Sequence, residues 1–229
     1  MKRHNTLVAI AACPKTEFRL LGSMTQQRRF PVPADFVVVA PQPLGATEGF
    51  DVLQAVDDKL IKDGHYNLSR ARNISCAYAS QMGYDFLIVG DADSVFTKIP
   101  HNEEMRKVRM AQALVSFMGQ NDGPAEFRPA AAKFVSWYIM HHSVFCRSNL
   151  WDEGFNGWGY EDIAFYARQW YGMNYRTTGC GVEAVHLWHE IPTSRGPETV
   201  ENRRRCKEYI DWMADKYGKF DQKLYAELF

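Results

Sequence analysis

Two acidic clusters of different build stand out in the sequence. The first, Asp91-Ala92-Asp93, follows an apolar run and places two carboxylates one residue apart. Two carboxylates at a strand end can offer oxygen ligands to a hard cation, and Mg²⁺ or Mn²⁺ held in this way usually shares its coordination with substrate phosphates. The second cluster, Glu161-Asp162, follows Gly157-Trp158-Gly159-Tyr160. A carboxylate there can take a proton from an attacking hydroxyl, and Trp158 offers a flat face to a sugar ring.

Each cluster also has a purely structural interpretation. Asp91 and Asp93 fit a solvated turn, because exposed turns often carry such pairs. Glu161 and Asp162 fit the first turn of a helix, where acidic side chains are favoured by the helix dipole. The glycines that precede the second cluster weaken this alternative, since they indicate close backbone approach or a positive φ angle.

Two histidines, His186 and His189, are candidates for a metal shell. Either imidazole can complete an oxygen-rich shell, and Mn²⁺ accepts a nitrogen ligand more readily than Mg²⁺ does. We therefore expect Mn²⁺, with Mg²⁺ as the alternative, and the choice between the two histidines stays open. A histidine beside Trp188 also fits a hydrogen-bonded packing role, and we interpret the pair His141-His142 as structural.

Composition limits the classes of function. The chain has 229 residues, enough for one compact domain, and its 27 basic residues balance its 27 acidic residues. No global charge therefore attracts nucleic acid or an anionic membrane. No signal peptide and no apolar window of about 20 residues is present, so we expect a soluble, cytoplasmic protein. The five cysteines are scattered without a C-x-x-C pair, and we expect them to be reduced.

The apolar pattern indicates the elements that position the acidic residues. It predicts strands at 6–12, 35–40 and 86–89 and helices at 15–28 and 67–82. The second helix has Asn67 or Ser69 as a cap and Gly83 as a stop. Asp91 and Asp93 then stand beyond the carboxyl end of the third strand, where open α/β sheets bind ligands.

Elements in the second half are less regular. The pattern predicts a loop at 119–129, one or two strands at 134–145, a helix at 161–171, a loop at 192–197 and one or two amphipathic helices at 198–229. Residues 150–161 combine aromatic residues with glycines, which is a poor core composition but suits a binding wall.

Two stretches carry a family resemblance. The segment Asn67–Asn73, which opens a helix, and the segment Tyr84–Asp93 resemble the nucleotide-sugar half of GT-A glycosyltransferases. The stretch Phe155–Phe165 resembles the acceptor-side motif of the β-1,4-galactosyltransferase and chondroitin-polymerase-like group. The resemblance covers roughly residues 6 to 192. It implies an α/β, GT-A (Rossmann-like) fold with a mostly parallel central sheet flanked by helices.

The resemblance implies one domain over 1–229 and a division of labour within it. Residues 1–100 would form the nucleotide-sugar-binding half, 101–195 the acceptor-binding half and 196–229 a helical segment at the carboxyl end. On the donor side, Asp93 would coordinate Mn²⁺, Asp91 would contact the ribose or the metal, and His186 would be the late metal ligand. Ala12, Pro14, Arg72 and Ala92 would lie along the nucleotide.

On the acceptor side, the resemblance implies that Trp158, Gly159 and Glu161 hold the acceptor sugar or a donor hydroxyl. Asp162 matches the catalytic base of inverting members. Related retaining polypeptide transferases usually carry Asn at that position, so Asp162 favours inversion. One departure concerns the base of the donor, because Ala40-Pro41-Gln42-Pro43 supplies no acidic residue after the second strand to read uracil. UDP remains the expected nucleotide.

These observations predict a metal-dependent, inverting glycosyltransferase. It would move a hexose or N-acetylhexosamine from a UDP-sugar to a hydroxyl of a glycan, a lipid-linked sugar or a modified DNA base. Nucleic acid as acceptor would use the basic run Arg203-Arg204-Arg205 with Lys207, which also fits the solvated face of a helix. The alternatives are a non-catalytic glycan-binding module on the same fold and a nucleotidyltransferase. The sequence lacks the Gly-rich, Lys-bearing phosphate loop that would favour the nucleotidyltransferase.

Overall fold

The computed structural model describes residues 3–101, 105–106, 108–112, 114–118, 128–129, 137–147, 150–157, 159–169, 177–178, 180–187 and 196–217. Trp158 and His189 lie outside the described residues. So do most of the predicted loops at 119–129 and 192–197, the end of the helix predicted at 161–171, and residues 218–229.

The strands are β1 (Thr6–Ala11), β2 (Asp35–Ala40), β3 (Leu53–Val56), β4 (Ile61–Lys62), β5 (His65–Tyr66), β6 (Phe86–Asp91), β7 (Ser94–Lys98), β8 (Met110–Gln112), β9 (Leu114–Met118), β10 (Arg128–Pro129), β11 (Tyr138–His141), β12 (Thr177–Thr178) and β13 (Glu183–Leu187). The helices are α1 (Glu17–Gln27), α2 (Leu68–Gln81), α3 (His142–Phe145), α4 (Glu161–Ala167) and α5 (Pro197–Tyr217).

A mostly parallel sheet forms the centre of the molecule. Its strand order within the described chain is β12-β8-β11-β6-β1-β2-β3. Strands β6, β1, β2 and β3 run parallel to one another, whereas β11 runs antiparallel to both β6 and β8. Helices α1 and α2 pack on opposite faces of this sheet. The predicted α/β fold class, with helices flanking a mostly parallel sheet, is confirmed.

Strand β1 illustrates why the central strands are continuous apolar runs. Leu7 and Ala9 pack in the same cluster as Cys76 of helix α2, while Val8 and Ile10 pack with Leu20 of helix α1. Successive side chains of a strand point to opposite faces. A strand covered by helices on both faces must therefore be apolar throughout.

The predicted strands and helices of the first half are confirmed with small shifts in their ends. The side chain of Asn67 accepts the backbone N–H of Arg70 at 2.8 Å and so caps helix α2. Gly83 follows the helix with a φ angle of +71°. Helix α1 begins after a short 3₁₀ turn at Pro14–Thr16, and β6 extends two residues beyond the predicted end to include Asp91.

One prediction in the second half is confirmed only in part, because strand β11 forms within 134–145 but does not extend to its end. Residues 134–145 were expected to form one or two strands, but strand β11 ends at His141 and helix α3 follows it. The ring nitrogen Nδ1 of His141 accepts the backbone N–H of Ser143 at 3.2 Å. This local bond caps a helical turn, and it outweighs the strand preference of Val144 and Phe145.

A second sheet carries the later part of the site. Its strand order within the described residues is β10-β9-β13-β7. Strand β13 runs antiparallel to β7, and His186 pairs with Ser94. Since β7 directly follows the acidic turn at the end of β6, this register brings His186 to that turn.

Helix α5 confirms the predicted terminal helix as far as Tyr217, and it packs on helix α4 through Cys206 and Ile210. Asn202 of α5 donates its side-chain N–H to the carbonyl of Asn156 at 2.9 Å and accepts the backbone N–H of Asn156 at 3.3 Å. No helix in the described parts of the chain is long and apolar enough to cross a membrane. All five cysteines are free.

Candidate active site

The first acidic cluster lies on a tight turn between β6 and β7. The backbone N–H of Asp91 donates to the hydroxyl of Ser94 at 3.0 Å, and the hydroxyl of Ser23 donates to the carbonyl of Ala92 at 2.7 Å. Gly90 makes room for the ring of Phe96, which would lie 3.2 Å from a Cβ atom at that position. The turn is therefore held from both the helix α1 side and the strand β7 side.

Asp93 and His186 lie side by side. The Nε2 atom of His186 is 3.4 Å from Oδ1 of Asp93, whose side chain is buried. The backbone N–H of Leu187 donates to the carbonyl of Asp93 at 2.9 Å, which anchors β13 to the turn. The ring of Trp137 stacks on the imidazole of His186, with centroids 5.8 Å apart. This packing fixes the plane of the imidazole.

Arg19 also lies near the acidic turn, although the sequence did not suggest it. Its Nη1 atom is 3.9 Å from Oδ2 of Asp93, so a positive charge faces this carboxylate from helix α1. Arg19 lies in the first turn of helix α1, which follows the carboxyl end of β1, and this position is the signal in the sequence that could have indicated the contact.

The donor set suits a hard divalent cation that completes its shell with substrate oxygens. The described residues contain no preformed group of three acidic, histidine or cysteine side chains around one point. Asp93 and His186 supply one oxygen and one nitrogen, while Oδ1 of Asp91 lies 3.8 Å from Nη2 of Arg72. Mg²⁺ and Mn²⁺ sites often use one or two protein ligands together with water and phosphates, so these residues fit such an ion.

The predicted nucleotide side lies at the carboxyl ends of β1 and β2. Ala12 is buried and donates its backbone N–H to the carbonyl of Val39 at 3.1 Å, whereas Pro14 is exposed. Ala92 is buried on the acidic turn. Only Pro14 among these three presents its side chain to solvent.

Tyr66 is a further residue at these strand ends that sequence reasoning missed. Its hydroxyl donates to the carbonyl of Val39 at 3.1 Å. Burial raises the pKa of Tyr66, and the neighbouring Cys13 and Asp91 raise this pKa further. Tyr66 therefore remains a neutral hydrogen-bond donor beside Asp91.

The glycine-rich segment before the second acidic cluster has a left-handed backbone. The φ angles are +74° at Gly157, +97° at Gly159 and +71° at Tyr160. Gly157 also forms a parallel bridge with Asn67, and a Cβ atom there would lie 2.6 Å from Cγ of Glu198. Both the positive φ and the close approach predicted from these glycines are confirmed for Gly157.

Glu161 is the first residue of helix α4, and its side chain is buried. Its Oε1 atom accepts a hydrogen bond from Nη1 of Arg72 at 3.2 Å. Its other oxygen, Oε2, is buried and has no hydrogen-bond partner among the described residues. A buried carboxylate oxygen without a partner is costly, so this atom is a candidate to accept a hydroxyl of a bound sugar.

Asp162 is less buried than Glu161. Its Oδ1 atom accepts the backbone N–H of Ile163 at 2.8 Å, and its backbone carbonyl accepts the hydroxyl of Tyr138 at 3.1 Å. The first bond orients the carboxylate and the second holds the backbone, and neither uses Oδ2. The arrangement suits a general base whose second oxygen receives a proton.

Burial makes ionisation of both neighbouring carboxyls costly. Burial raises the pKa of Glu161, the charge of Asp162 raises it further, and the guanidinium of Arg72 opposes both effects. Burial also raises the pKa of Asp162, with Arg72 again acting in the opposite direction. A carboxylate with a raised pKa is a stronger proton acceptor than an ordinary aspartate.

Arg72 joins the two clusters. Its guanidinium lies 3.2 Å from Glu161 and 3.8 Å from Asp91, so both acidic clusters contact the same side chain. Burial alone would lower the pKa of Arg72, but the charges of Glu161, then Asp91 and Asp162, raise it overall. The sequence predicts that Arg72 lies along the nucleotide, and the structure places its buried guanidinium between these carboxylates.

Comparison with solved structures supports the fold. No family model and no curated protein sequence matches the chain. The structure is similar to that of GalNAc-T7, crystallised with UDP, GalNAc and Mn²⁺, at a TM-score of 0.56 and 14% identity, over 91% of this chain and 49% of that chain. This chain therefore spans about half the length of GalNAc-T7. A weaker match, TarS of S. aureus, has a TM-score of 0.44 and 14% identity, over 88% of this chain and 38% of that chain. The chain has the GT-A fold of glycosyltransferases, as its sequence predicts.

Proposed function

We propose that this protein is a metal-dependent, inverting glycosyltransferase that moves a hexose or N-acetylhexosamine from a UDP-sugar to an acceptor hydroxyl. The observation that carries the proposal is the contact of Arg72 with both Asp91 and Glu161. This contact brings a metal-type cluster and a base-type cluster into one site. The presence of UDP, GalNAc and Mn²⁺ in the GalNAc-T7 structure agrees with such chemistry on this fold.

On the donor side, Asp93 and His186 would hold the divalent cation, and Asp91 would contact the ribose or the cation. A bound Mn²⁺ would act as a Lewis acid that stabilises the departing nucleoside diphosphate. Ala12, Pro14 and Ala92 would line the nucleotide, with Ala12 and Ala92 contributing their backbones because their side chains are buried.

On the acceptor side, Asp162 would act as the base. The acceptor oxygen attacks the anomeric carbon, the bond from that carbon to the diphosphate oxygen breaks, and the hydroxyl proton moves to Oδ2 of Asp162. Oε2 of Glu161 would accept a hydrogen bond from a sugar hydroxyl, and Trp158 with Gly159 would form the face against the sugar ring. Attack from the side opposite to the leaving group inverts the anomeric configuration.

The basic run on helix α5 offers little support for a DNA acceptor. Arg204 pairs with Glu201 and Glu208, Arg205 pairs with Asp152, and Lys207 pairs with Asp211. These carboxylates offset the positive charges that phosphate binding would require. A glycan or lipid-linked sugar is therefore the acceptor class that we favour.

The test is to incubate the protein with a panel of nucleotide sugars, acceptor glycans and Mn²⁺ and to measure release of nucleoside diphosphate. We expect Asp93→Ala to lose metal-dependent donor binding, whereas Asp162→Asn should keep donor binding and lose transfer by about 100-fold or more. Asp58→Asn, on the exposed surface, is the matched control and should behave like the wild type.

Three results would contradict parts of the proposal. Full activity in excess EDTA would contradict the dependence on a metal ion. Retention of the donor's anomeric configuration in the product would contradict the inverting mechanism. Glycan binding without diphosphate release from any donor would favour the non-catalytic binding module instead.

A further inference from the structure

Arg72 is buried although it carries a permanent charge. Only 2% of its side chain is exposed, and it projects from helix α2 between the two acidic clusters. Taking a guanidinium out of water costs several kcal/mol unless ion pairs and hydrogen bonds offset the loss. A buried arginine in this position therefore indicates a role that requires its particular shape and charge.

Arg72 meets the carboxylates of Glu161 and Asp91 with different nitrogen atoms. Nη1 donates to Oε1 of Glu161 at 3.2 Å, and Nη2 faces Oδ1 of Asp91 at 3.8 Å. The planar guanidinium can meet two carboxylates at fixed angles, whereas the single ammonium of a lysine cannot. The geometry therefore depends on arginine rather than on a positive charge alone.

The surroundings hold the guanidinium in place. It lies over the ring of Trp151 at 5.9 Å, and this ring stacks on Phe165 of helix α4 at 3.9 Å. The next residue on helix α2, Asn73, exchanges two hydrogen bonds of 3.0 Å with the backbone of Trp151. Helix α2 thus contacts the acceptor side through two consecutive residues.

We propose that Arg72 is a positioning residue that acts through Glu161. By binding Oε1, it fixes the Glu161 carboxylate so that Oε2 points to the sugar hydroxyl. This role rests on the proposed glycosyltransferase function. It differs from direct contact with the nucleotide, which the sequence predicts for Arg72.

A double-mutant cycle between Arg72→Lys and Glu161→Gln tests this role. We expect Arg72→Lys to raise the acceptor KM or lower kcat by about 10-fold or more, while the affinity for UDP with Mn²⁺ changes by less than about 3-fold. If Arg72 acts through Glu161, Arg72→Lys should have almost no further effect in a Glu161→Gln background. Effects that multiply would overturn the proposal, as would a loss of UDP affinity equal to the loss of kcat/KM.

Arg70→Lys is the matched control. Arg70 lies on the same helix and also pairs with two carboxylates, at 2.7 Å from Asp57 and 3.1 Å from Glu153. It contacts neither acidic cluster of the site through these pairs, so its replacement should change thermal stability without changing the acceptor KM. An equal rise in the acceptor KM in both variants would indicate a general structural effect and overturn the proposal.

If Arg72→Lys does not fold, the paired variant Arg72→Met/Glu161→Leu replaces the buried ion pair by apolar side chains of similar size. Retained UDP affinity in this variant would support the positioning role, and lost affinity would overturn it. The two proposals remain distinguishable. A wild-type protein that releases no nucleoside diphosphate contradicts the function, whereas an active wild type with independent Arg72 and Glu161 effects contradicts only the positioning role.

Discussion

His186 of strand β13 lies 3.4 Å from Asp93, which lies on the turn before β7, although the two residues are distant in the sequence. The contact exists because β13 pairs with β7, which begins immediately after Asp93. The imidazole and the carboxylate thus approach each other through strand register, and Trp137 stacks behind the imidazole. In the proposed site, the pair would provide one nitrogen and one oxygen ligand.

Metal affinity should therefore depend on both residues. We expect His186→Ala and Asp93→Asn each to lower Mn²⁺ affinity by about 10-fold or more in the presence of UDP, because each removes a ligand or its charge. Titration calorimetry measures this directly. His101→Ala, on the exposed surface, should leave the affinity unchanged. Wild-type Mn²⁺ affinity in His186→Ala would exclude this histidine as a ligand.

Gly157 should resist substitution for two separate reasons. Its φ angle of +74° costs a residue with a side chain about 1–2 kcal/mol, and a Cβ atom would meet Cγ of Glu198 at 2.6 Å. Gly64 has a φ angle of +77° but no atom within 4 Å of its Cβ position, so Gly64→Ala measures the backbone cost alone.

We expect Gly157→Ala to lower the free energy of unfolding by about 1–3 kcal/mol more than Gly64→Ala does, as measured by urea denaturation. Adding Glu198→Ala to Gly157→Ala should recover part of the difference, because it removes the clashing Cγ atom. Equal losses of stability in the two glycine variants would show that Glu198 moves away from the added Cβ atom without a cost in free energy.

The stability of the protein should depend on pH through Glu161. Its pKa is raised in the folded state by burial and by Asp162, so the folded protein holds this proton more tightly than the unfolded chain does. The resulting stabilisation is complete below the unfolded pKa of about 4.3 and is lost as the pH rises through the higher folded pKa.

Glu161→Gln removes this titration, so the stability of the variant relative to the wild type should increase as the pH rises from about 4 to about 8. Urea denaturation across this range measures the difference. Glu48→Gln, at an exposed position, serves as the control and should follow the wild-type profile. A constant difference between Glu161→Gln and wild type would contradict the raised pKa.

Gln27 should be important for stability because its side-chain amide pairs with the backbone of strand β7, as a neighbouring strand would. It donates to the carbonyl of Phe96 at 2.9 Å and accepts the backbone N–H of Phe96 at 2.7 Å. Gln27→Leu would leave the buried N–H and carbonyl of Phe96 without these hydrogen bonds. We therefore expect the free energy of unfolding to fall by about 2–4 kcal/mol. Gln26→Leu, at the half-buried neighbouring position, should cost far less. Similar losses in both variants would contradict this explanation.

The elements that the sequence predicts well are those with local signals. Strands β1 and β2 are apolar runs with covered faces, and helix α2 has both a cap at Asn67 and a glycine stop. The location of Asp91 and Asp93 at the carboxyl end of a buried strand followed from these signals. Helix α3 was missed because its start depends on the side chain of His141, which accepts the backbone N–H of Ser143.

The relative positions of the site residues depend on contacts between segments that are distant in the sequence. The spacing of apolar residues along the chain does not encode such contacts. The residue types alone left His186 and His189 open as ligands while the family resemblance implied His186, and the register of β13 against β7 places His186 beside Asp93. Burial of Arg72 likewise depends on the packing of helix α2 against Trp151 and Glu161. The roles of the individual site residues stay predictions.

The two hydrogen bonds between the side chain of Asn202 and the backbone of Asn156 limit the order in which the protein can fold during synthesis. The four parallel strands β6, β1, β2 and β3 come from the first part of the chain, so they can assemble while later residues are still on the ribosome. The segment with Gly157 and Glu161 gains its contacts with helix α5 only after that helix has emerged. A nascent chain that stops before residue 202 would therefore form the central parallel strands before it could complete the segment with Gly157 and Glu161.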